Sequence, residues 1–206
     1  YSVAGDSIYN AWQKANYPIE FYEVFLQIME EDGKKDRLNL AISEARNHFG
    51  IKFPKMMFGQ DNRKINGNTE TKEIVLSLKS IKGFGSKIAD DMWLLKETFT
   101  GKTFVELLIC AEENKVLSSK FESLIKIGYF EMFGKDKKLM TILEEFKKGK
   151  NRYSKTLKDK SKEARSIELF KFESVCDDVE YSFYEKVKNE FSVLSDIQTV
   201  FDVSKW

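Results

Sequence analysis

The chain has 206 residues, of which 42% are hydrophobic and 14% aromatic, enough to form the core of one large domain or two small ones. No apolar run approaches the roughly 18 residues of a membrane span, and no N-terminal signal pattern is present, which argues against a membrane or secreted protein. The chain has one histidine, His48, and two cysteines, Cys110 and Cys176, which lack the spacing of a zinc site. These counts disfavour a histidine metal site, a catalytic triad and a structural zinc. We therefore expect a protein of the reducing cytoplasm.

The net charge of +1 conceals an uneven distribution of charge. Residues 135–165 contain 12 basic and 5 acidic side chains, whereas residues 166–206 contain 4 basic and 9 acidic ones. Such segregation indicates either an anionic partner for the basic segment or a solvated, lysine-rich linker. The sequence does not decide between these two interpretations.

Three helices are predicted in the first 50 residues. Asp6 or Ser7 is expected to cap the first, Pro18 to open the second, and Gly50 to end the third, while the second helix should stop near Asp32. Helical spacing assigns each helix one inward apolar face. These faces are Ile8, Ala11, Trp12 and Ala15; then Phe21, Val24, Phe25 and Ile28; then Leu38, Ile42, Ala45 and Phe49.

A change of pattern follows, from helical to β-rich. We predict a short β-hairpin in which Arg63 to Ile65 pairs with Ile74 to Leu78, with its turn at Asn66 to Asn68.

The rest of the chain returns to helical spacing, so the fold class is mainly α with a small β-hairpin. Helices are predicted after Gly85, after Thr103, after a cap at Ser118 or Ser119 with Gly128 at the end, and over residues 137–148. Their inward residues are Ile88, Ala89, Met92 and Leu95; Phe104, Leu107, Leu108 and Ala111; Phe121, Leu124 and Ile125; and Leu139, Ile142, Leu143 and Phe146. The polar stretch 147–165 is a candidate linker, and the tail is predicted to hold a helix near residues 164–174 and β strands within Phe191 to Val203.

The segment Ile81-Lys82-Gly83-Phe84-Gly85-Ser86-Lys87-Ile88-Ala89 matches the helix-hairpin-helix pattern. Two glycines permit positive φ and a close approach of the backbone to a ligand, and Phe84 should anchor the turn between its helices. Small Ala89 lets the second helix pack closely. The free amides at the start of that helix favour an anion such as a nucleic-acid phosphate, which would be held without reading sequence.

This motif predicts a DNA-binding site. Its residues are Lys82, Gly83, Phe84, Gly85, Ser86 and Lys87, with Lys120 and Lys126 as further candidates from a second, weaker helical pair. The alternatives are a turn that only packs two helices and, for the second pair, plain core. A dinucleotide fingerprint is disfavoured because Ile88 stands where its third glycine would be.

Four segments in order resemble the α subunit of bacterial DNA polymerase III, the C-family replicative polymerase, including divergent and phage-encoded forms. They are Lys14-Ala15-Asn16-Tyr17-Pro18-Ile19-Glu20-Phe21, Gly50-Ile51-Lys52-Phe53-Pro54 after Glu44-Ala45-Arg46, Leu78 to Gly85, and Leu124 to Phe130. The resemblance covers about residues 1–134. The chain departs from the family pattern at Tyr1 and at Asn10 to Lys14, so no direct fingers contact to nucleotide is carried over from the family. A further departure lies at Tyr129 to Glu131.

The resemblance implies a division of the chain. Residues 1–50 would be the helical end of the fingers domain, and 51–134 the β-hairpin with a tandem helix-hairpin-helix region. Residues 135–165 would be a basic helix and linker, and 166–206 a connection towards an OB-type module. The implied partners are double-stranded DNA, the rest of the polymerase chain and replisome proteins, with no membrane.

No catalytic or metal-binding residue is assigned. Asp90-Asp91 and Asp177-Asp178 are paired in sequence, yet consecutive helical residues point about 100° apart, so both pairs are interpreted as surface charge. The family's catalytic carboxylates lie upstream, which implies a truncated piece of a nucleotidyltransferase that is inactive alone. No cofactor is expected in this segment, although the parent polymerase would use Mg²⁺. Two other functions remain open: a helix-hairpin-helix module of a repair or recombination protein, and a helical domain that binds another replisome protein through Tyr181, Phe183, Tyr184 and Trp206.

Overall fold

The computed structural model describes residues 2–116, 120–148 and 152–194. They are mostly helical with one two-stranded antiparallel sheet, as predicted. The elements are α1 Ser2–Asn16, α2 Pro18–Glu31, α3 Lys35–Phe49, β1 Asn66–Asn68, β2 Glu73–Val75, α4 Ser86–Thr98, α5 Phe104–Glu113, α6 Phe121–Lys126, α7 Asp136–Lys147, α8 Asp159–Val175 and α9 Phe183–Leu194. Short 3₁₀ turns lie at Leu78–Ser80 and Glu131–Phe133. Within the described residues, no helix is both long and apolar enough to cross a membrane.

The boundaries of α2 and α3 follow their local signals. Pro18 opens α2, Asp32 caps its end, and Gly50 ends α3 in the left-handed conformation at φ 65°. The predicted inward residues of α3 are buried at Leu38, Ile42 and Ala45, and Phe49 is half-buried.

The predicted inward face of α1 is wrong, and that of α2 is wrong in part. Trp12 and Val24 are 52% and 59% exposed, whereas Phe21 and Phe25 are partly buried against the core. The fully buried residues of α2 lie on a neighbouring face: Ile19, Tyr22, Leu26 and Met29. Because α2 has apolar residues on more than one side, periodicity alone could not separate its buried side from the side that lines an open groove with α1. The predicted caps Asp6 and Ser7 are also wrong, because α1 already begins at Ser2.

The β-hairpin exists but its register differs from the prediction. Asn66 pairs with Val75 and Asn68 with Glu73, so the predicted turn is itself the first strand. The turn comes later because Asn68 Oδ1 accepts hydrogen bonds from the amides of Glu70 and Thr71. Gly67 serves close packing rather than a turn, since a Cβ there would lie 2.8 Å from Ile19 Cγ2 on α2.

Helices α4 to α7 surround an aromatic cluster. The ring centroid of Phe130 lies 5.0 Å from that of Phe121, 5.6 Å from Phe104 and 5.7 Å from Phe58. The predicted inward residues of α5, α6 and α7 are all buried, as are Ala89, Met92 and Leu95 of α4. The helix predicted after Thr103 is present as α5, and Thr103 caps it in a capping box with Glu106. The predicted caps Ser118 and Ser119 lie outside the described residues.

The predicted linker joins the core in part. Tyr153 is 6% exposed, and its hydroxyl donates to Glu113 Oε1 at 3.1 Å. Residues 159–165 already form the start of α8. The strand prediction is wrong for residues 191–194, which complete helix α9, and its remainder, 195–203, lies outside the described residues.

Candidate nucleic-acid interface

The first hairpin, residues 81–85, connects the 3₁₀ turn Leu78–Ser80 to α4. Gly83 has a φ of 76°, a conformation that an L side chain rarely adopts. Phe84 is only 8% exposed and anchors the hairpin inward, as predicted. Its amide donates to the carbonyl oxygen of Ile81 at 3.1 Å, which closes the turn.

Gly85 differs from the expectation that both glycines take positive φ. It precedes α4 with a φ of −122° and a ψ of 178°, an extended conformation open to any residue. A Cβ at Gly85 would meet nothing within 4 Å. Glycine at position 85 therefore relieves no backbone strain. It leaves open space beside the start of α4.

The start of α4 is an open, electropositive helix terminus. Among the described residues, the amides of Gly85, Ser86 and Lys87 find no hydrogen-bond acceptor, whereas Ile88 donates back to Gly85. The first turn of α4 contains no acidic residue. Free amides and the helix dipole at such a terminus favour an anion.

Lysines surround this terminus. Lys82 and Lys87 are exposed, and Lys120 Nζ donates to the carbonyl oxygen of Gly83 at 3.0 Å. None of these three ammonium groups pairs with a carboxylate in the part of the chain that the structure describes. Three of the predicted lysines therefore converge on one hairpin.

A further lysine joins this group and was missed in the sequence. Lys35, at the start of α3, places its Nζ 3.5 Å from the carbonyl oxygen of Ile81. It lines a surface depression together with Lys34, Asp36 and Arg37. The only sequence signal was a cluster of basic residues at a helix start, 46 positions before the hairpin.

Lys126, the remaining predicted lysine, lies in a different setting. Its Nζ forms an ion pair of 2.8 Å with Glu122 one turn earlier on α6, and this bond lowers the pKa of the Glu122 carboxyl. It lines a depression with Glu144 and Lys147 of α7. Lys35 contacts the carbonyl oxygen of Ile81 and Lys120 that of Gly83. Lys126 bonds to Glu122 instead and contacts neither carbonyl.

The second hairpin, residues 127–135, leads into α7 and is already occupied by a carboxylate. Asp178 Oδ1 accepts a 2.9 Å hydrogen bond from the Lys135 amide, and the carbonyl oxygen of Val179 accepts from the Lys138 amide at 3.2 Å. Glu180 adds ion pairs with Lys135 and Lys186. Part of the acidic tail thus covers the second hairpin.

The start of α5 is filled in the same way. Glu173 of α8 accepts hydrogen bonds from the amides of Phe104 and Val105, at 2.9 and 3.4 Å. Glu106 accepts from the amides of Lys102 and Thr103, and these bonds hold its pKa below the ordinary value. Within residues 2–116, 120–148 and 152–194, α4 therefore differs from α5 and α7 in having no carboxylate hydrogen-bonded at its start.

Comparison with known proteins agrees with this geometry. A family model described as a helix-hairpin-helix motif matches residues 38–140, which include both hairpins. The DNA polymerase III subunit alpha of Deinococcus radiodurans is 32% identical over 139 residues, covering 66% of this chain and 10% of that protein. The subunit of the same name from Ureaplasma parvum serovar 3 is 26% identical over 129 residues, covering 62% of this chain and 13% of that protein. These matches confirm the resemblance predicted from the four sequence motifs, and the chain spans about a tenth of the length of the curated relatives it matches.

Proposed function

Because the chain belongs to the helix-hairpin-helix motif family, we propose that it binds the phosphate backbone of duplex DNA as a segment of a DNA polymerase III α subunit. The observation that carries the proposal is the open start of α4. Three amides that find no acceptor among the described residues lie there at a positive helix end, with Lys82, Lys87 and Lys120 close by.

Each part of the first hairpin has a role in this binding. The amides of Gly85, Ser86 and Lys87 donate to phosphate oxygens, and the extended, side-chain-free Gly85 lets the backbone come close. Lys82 and Lys87 add charge-assisted contacts. Groups of this kind reach phosphates and sugars only, so the site does not distinguish sequences.

The other helix starts support the choice of the first hairpin. Asp178 and Glu173 show that the chain places its own carboxylates at the starts of α7 and α5. A carboxylate resembles a phosphate in its charge and its acceptor oxygens. Of these three helix starts, only that of α4 binds no carboxylate from the part of the chain that the structure describes. We assign the DNA contact to α4 for this reason.

Within the parent polymerase, this segment would hold the product duplex and so aid processive synthesis. Nucleotidyl transfer, with its Mg²⁺, is assigned to other parts of the parent chain, and the segment alone is expected to have no activity. We expect cytoplasmic replication, in a bacterium or a phage-infected cell, with the remaining polymerase chain and replisome proteins as partners.

The test is fluorescence anisotropy of a labelled, mixed-sequence DNA duplex over a salt series. Wild type should bind weakly, with a Kd of about 10⁻⁴ to 10⁻⁶ M, and log K should fall by about 0.9 per phosphate contact for each tenfold rise in salt. The double variant Lys82→Ala/Lys87→Ala should weaken binding and flatten this salt dependence. Lys126→Ala is the matched control, because Lys126 is already paired with Glu122.

Circular dichroism must first show that every variant is folded. Equal binding by wild type and the double variant would reject the first hairpin as the contact. Absence of binding by wild type even at low salt would reject the proposed function for the isolated segment.

A protein-binding function is the second candidate, and exposed apolar side chains favour it. The groove between α1 and α2 contains Trp12 and Val24, and Tyr184 of α9 is 75% exposed. An apolar protein interface would respond little to salt, whereas phosphate binding weakens steeply. The same salt series therefore separates the two functions.

A further inference from the structure

Glu30, in the last turn of α2, has a buried carboxylate directed at the segment before the first hairpin. Its side chain is 4% exposed. Its Oε1 accepts a 2.6 Å hydrogen bond from Ser77 Oγ and a 2.8 Å bond from Ser80 Oγ. The ammonium of Lys79 lies 3.2 Å from Oε2 but outside hydrogen-bond geometry, so it balances the charge without saturating that oxygen.

A buried carboxylate needs such compensation, because an unpaired charge in the interior is strongly unfavourable. Here all three compensating groups come from four consecutive residues, 77–80, directly before Ile81. Ser77 is completely buried, and its Oγ also accepts from the Lys79 amide to cap the 3₁₀ turn. Glu30 therefore fixes the turn as a unit.

Position is transmitted from this turn to the hairpin by short backbone bonds. The Ile81 amide donates to Leu78, and the Phe84 amide donates to Ile81. On the far side, Lys120 holds the Gly83 carbonyl. The entry into the hairpin is thus bonded to α2, more than 45 residues earlier in the chain, while within the hairpin the Lys82 amide donates to the carbonyl oxygen of Val193 on α9 at 3.1 Å.

We infer that Glu30 is a positioning residue for phosphate binding. It holds the entry of the first hairpin against α2 so that the amides of Gly85, Ser86 and Lys87 converge on one phosphate. Because its charge is buried, balanced by the Lys79 ammonium and hydrogen-bonded by two hydroxyls, it does so without repelling DNA. This inference takes its ligand, DNA, from the proposed function. The contacts of Glu30 with residues 77–80 do not depend on that proposal.

The experiment compares Glu30→Gln with Glu31→Gln. Glu31 occupies the next position of the same helix, but it is exposed, and among the described residues its side chain accepts only from Gln27 Nε2 on its own helix. Hydrogen–deuterium exchange is followed at the hydrogen-bonded amides of Ile81, Phe84 and Ile88, and in α5 as an internal reference. DNA binding is measured by duplex anisotropy on the same samples.

Glu30→Gln should remain folded, exchange faster over residues 81–88 than wild type, and leave exchange in α5 unchanged. Its DNA affinity should fall about tenfold, the equivalent of losing one hydrogen bond to a charged group. Glu31→Gln should behave as wild type in both measurements. A role limited to overall stability would instead raise exchange throughout the chain and leave the affinity of the folded protein unchanged.

Two outcomes overturn the inference: unchanged exchange at residues 81–88, or faster exchange there with unchanged DNA affinity. If Glu30→Gln does not fold, Ser80→Ala removes one of the hydrogen bonds with no charge change, and the same readouts decide. If wild type binds no DNA, the proposed function fails, and the exchange data still show whether Glu30 holds the hairpin.

Discussion

Lys120 donates a 3.0 Å hydrogen bond to the carbonyl oxygen of Gly83, and its ammonium lies 5.3 Å from the ring centroid of Phe84. The residue before α6 thus holds the hairpin that precedes α4. This bond uses one of three ammonium protons, so the same group can also contact a phosphate.

Replacing Lys120 by methionine keeps the aliphatic stem and removes the charge. We expect the free energy of unfolding to fall by about 0.5–1 kcal/mol, the usual value of one hydrogen bond. The salt dependence of duplex binding should fall by about one phosphate contact. Urea denaturation and anisotropy measure the two effects, with Lys120→Arg as the charge-preserving control. An unchanged salt slope would limit Lys120 to holding the hairpin.

The two glycines of the first hairpin should respond differently to alanine. Gly83→Ala forces a side chain into the left-handed region and should destabilise the protein by about 1–2 kcal/mol. Gly85→Ala should leave stability within a few tenths of a kcal/mol, since its conformation is extended and its surroundings are empty. Denaturant titration tests both.

The same pair also separates stability from binding. The methyl group of Gly85→Ala would project into the space in front of the free amides, so duplex binding should weaken in a protein of normal stability. Wild-type affinity in this variant would show that no phosphate approaches Gly85.

Lys35 should extend the phosphate site onto α3. Lys35→Ala is expected to weaken duplex binding equally for all DNA sequences and to reduce the salt slope by about one contact. Lys34→Ala is a suitable comparison, because Lys34 is an immediate neighbour already paired with Asp32 at 2.6 Å. Anisotropy with two unrelated duplexes measures both properties. A change that depended on the DNA sequence would contradict a pure backbone contact.

Asp178 acts as a distant cap for α7. Asp178→Ala should lower the free energy of unfolding by about 1 kcal/mol, the usual cost of a lost helix cap, while Asp177→Ala should have little effect. The variant also removes a negative charge from the second hairpin, so duplex affinity should rise at low salt. Unchanged affinity would mean that the second hairpin is not available to DNA even when uncovered.

Glu106 should contribute to acid sensitivity. Its pKa is lowered from 4.5, mainly by the Lys102 and Thr103 amides, so the folded state favours the ionised form. The resulting stability is present above the unfolded pKa and is lost as pH falls through the lowered folded pKa. Glu106→Gln removes the titrating group, so the stability difference from wild type should shrink between pH 7 and strongly acidic pH. Urea titrations across that range test this, and a constant difference would contradict it.

Local signals were sufficient for much of the fold. Pro18, Gly50 and Thr103 mark helix ends by backbone chemistry that involves only near neighbours, and each acts as expected. The predicted groups of the first hairpin also came from one contiguous motif. Such features can be predicted without knowledge of the tertiary structure.

The sequence predictions were wrong or incomplete where contacts between residues far apart in the chain determine the structure. Gly67 looked like a turn glycine, but contact with Ile19 explains it. The inward face of α2 could not be chosen because apolar residues lie on both sides. Lys35, Asp178 and Glu30 each act on a segment more than 40 residues away, and nothing in their immediate sequence indicates the partner.

The bond between Glu173 and the start of α5 has a consequence for folding during synthesis. Glu173 is 69 residues beyond Phe104, so the α5 amides are made long before their acceptor leaves the ribosome. Until α8 docks, water must satisfy those amides, and the closure of this long loop supplies their acceptor. Helix α8 should therefore fold together with α5 as one cooperative unit, and a chain ended before α8 should be loosened at α5 first.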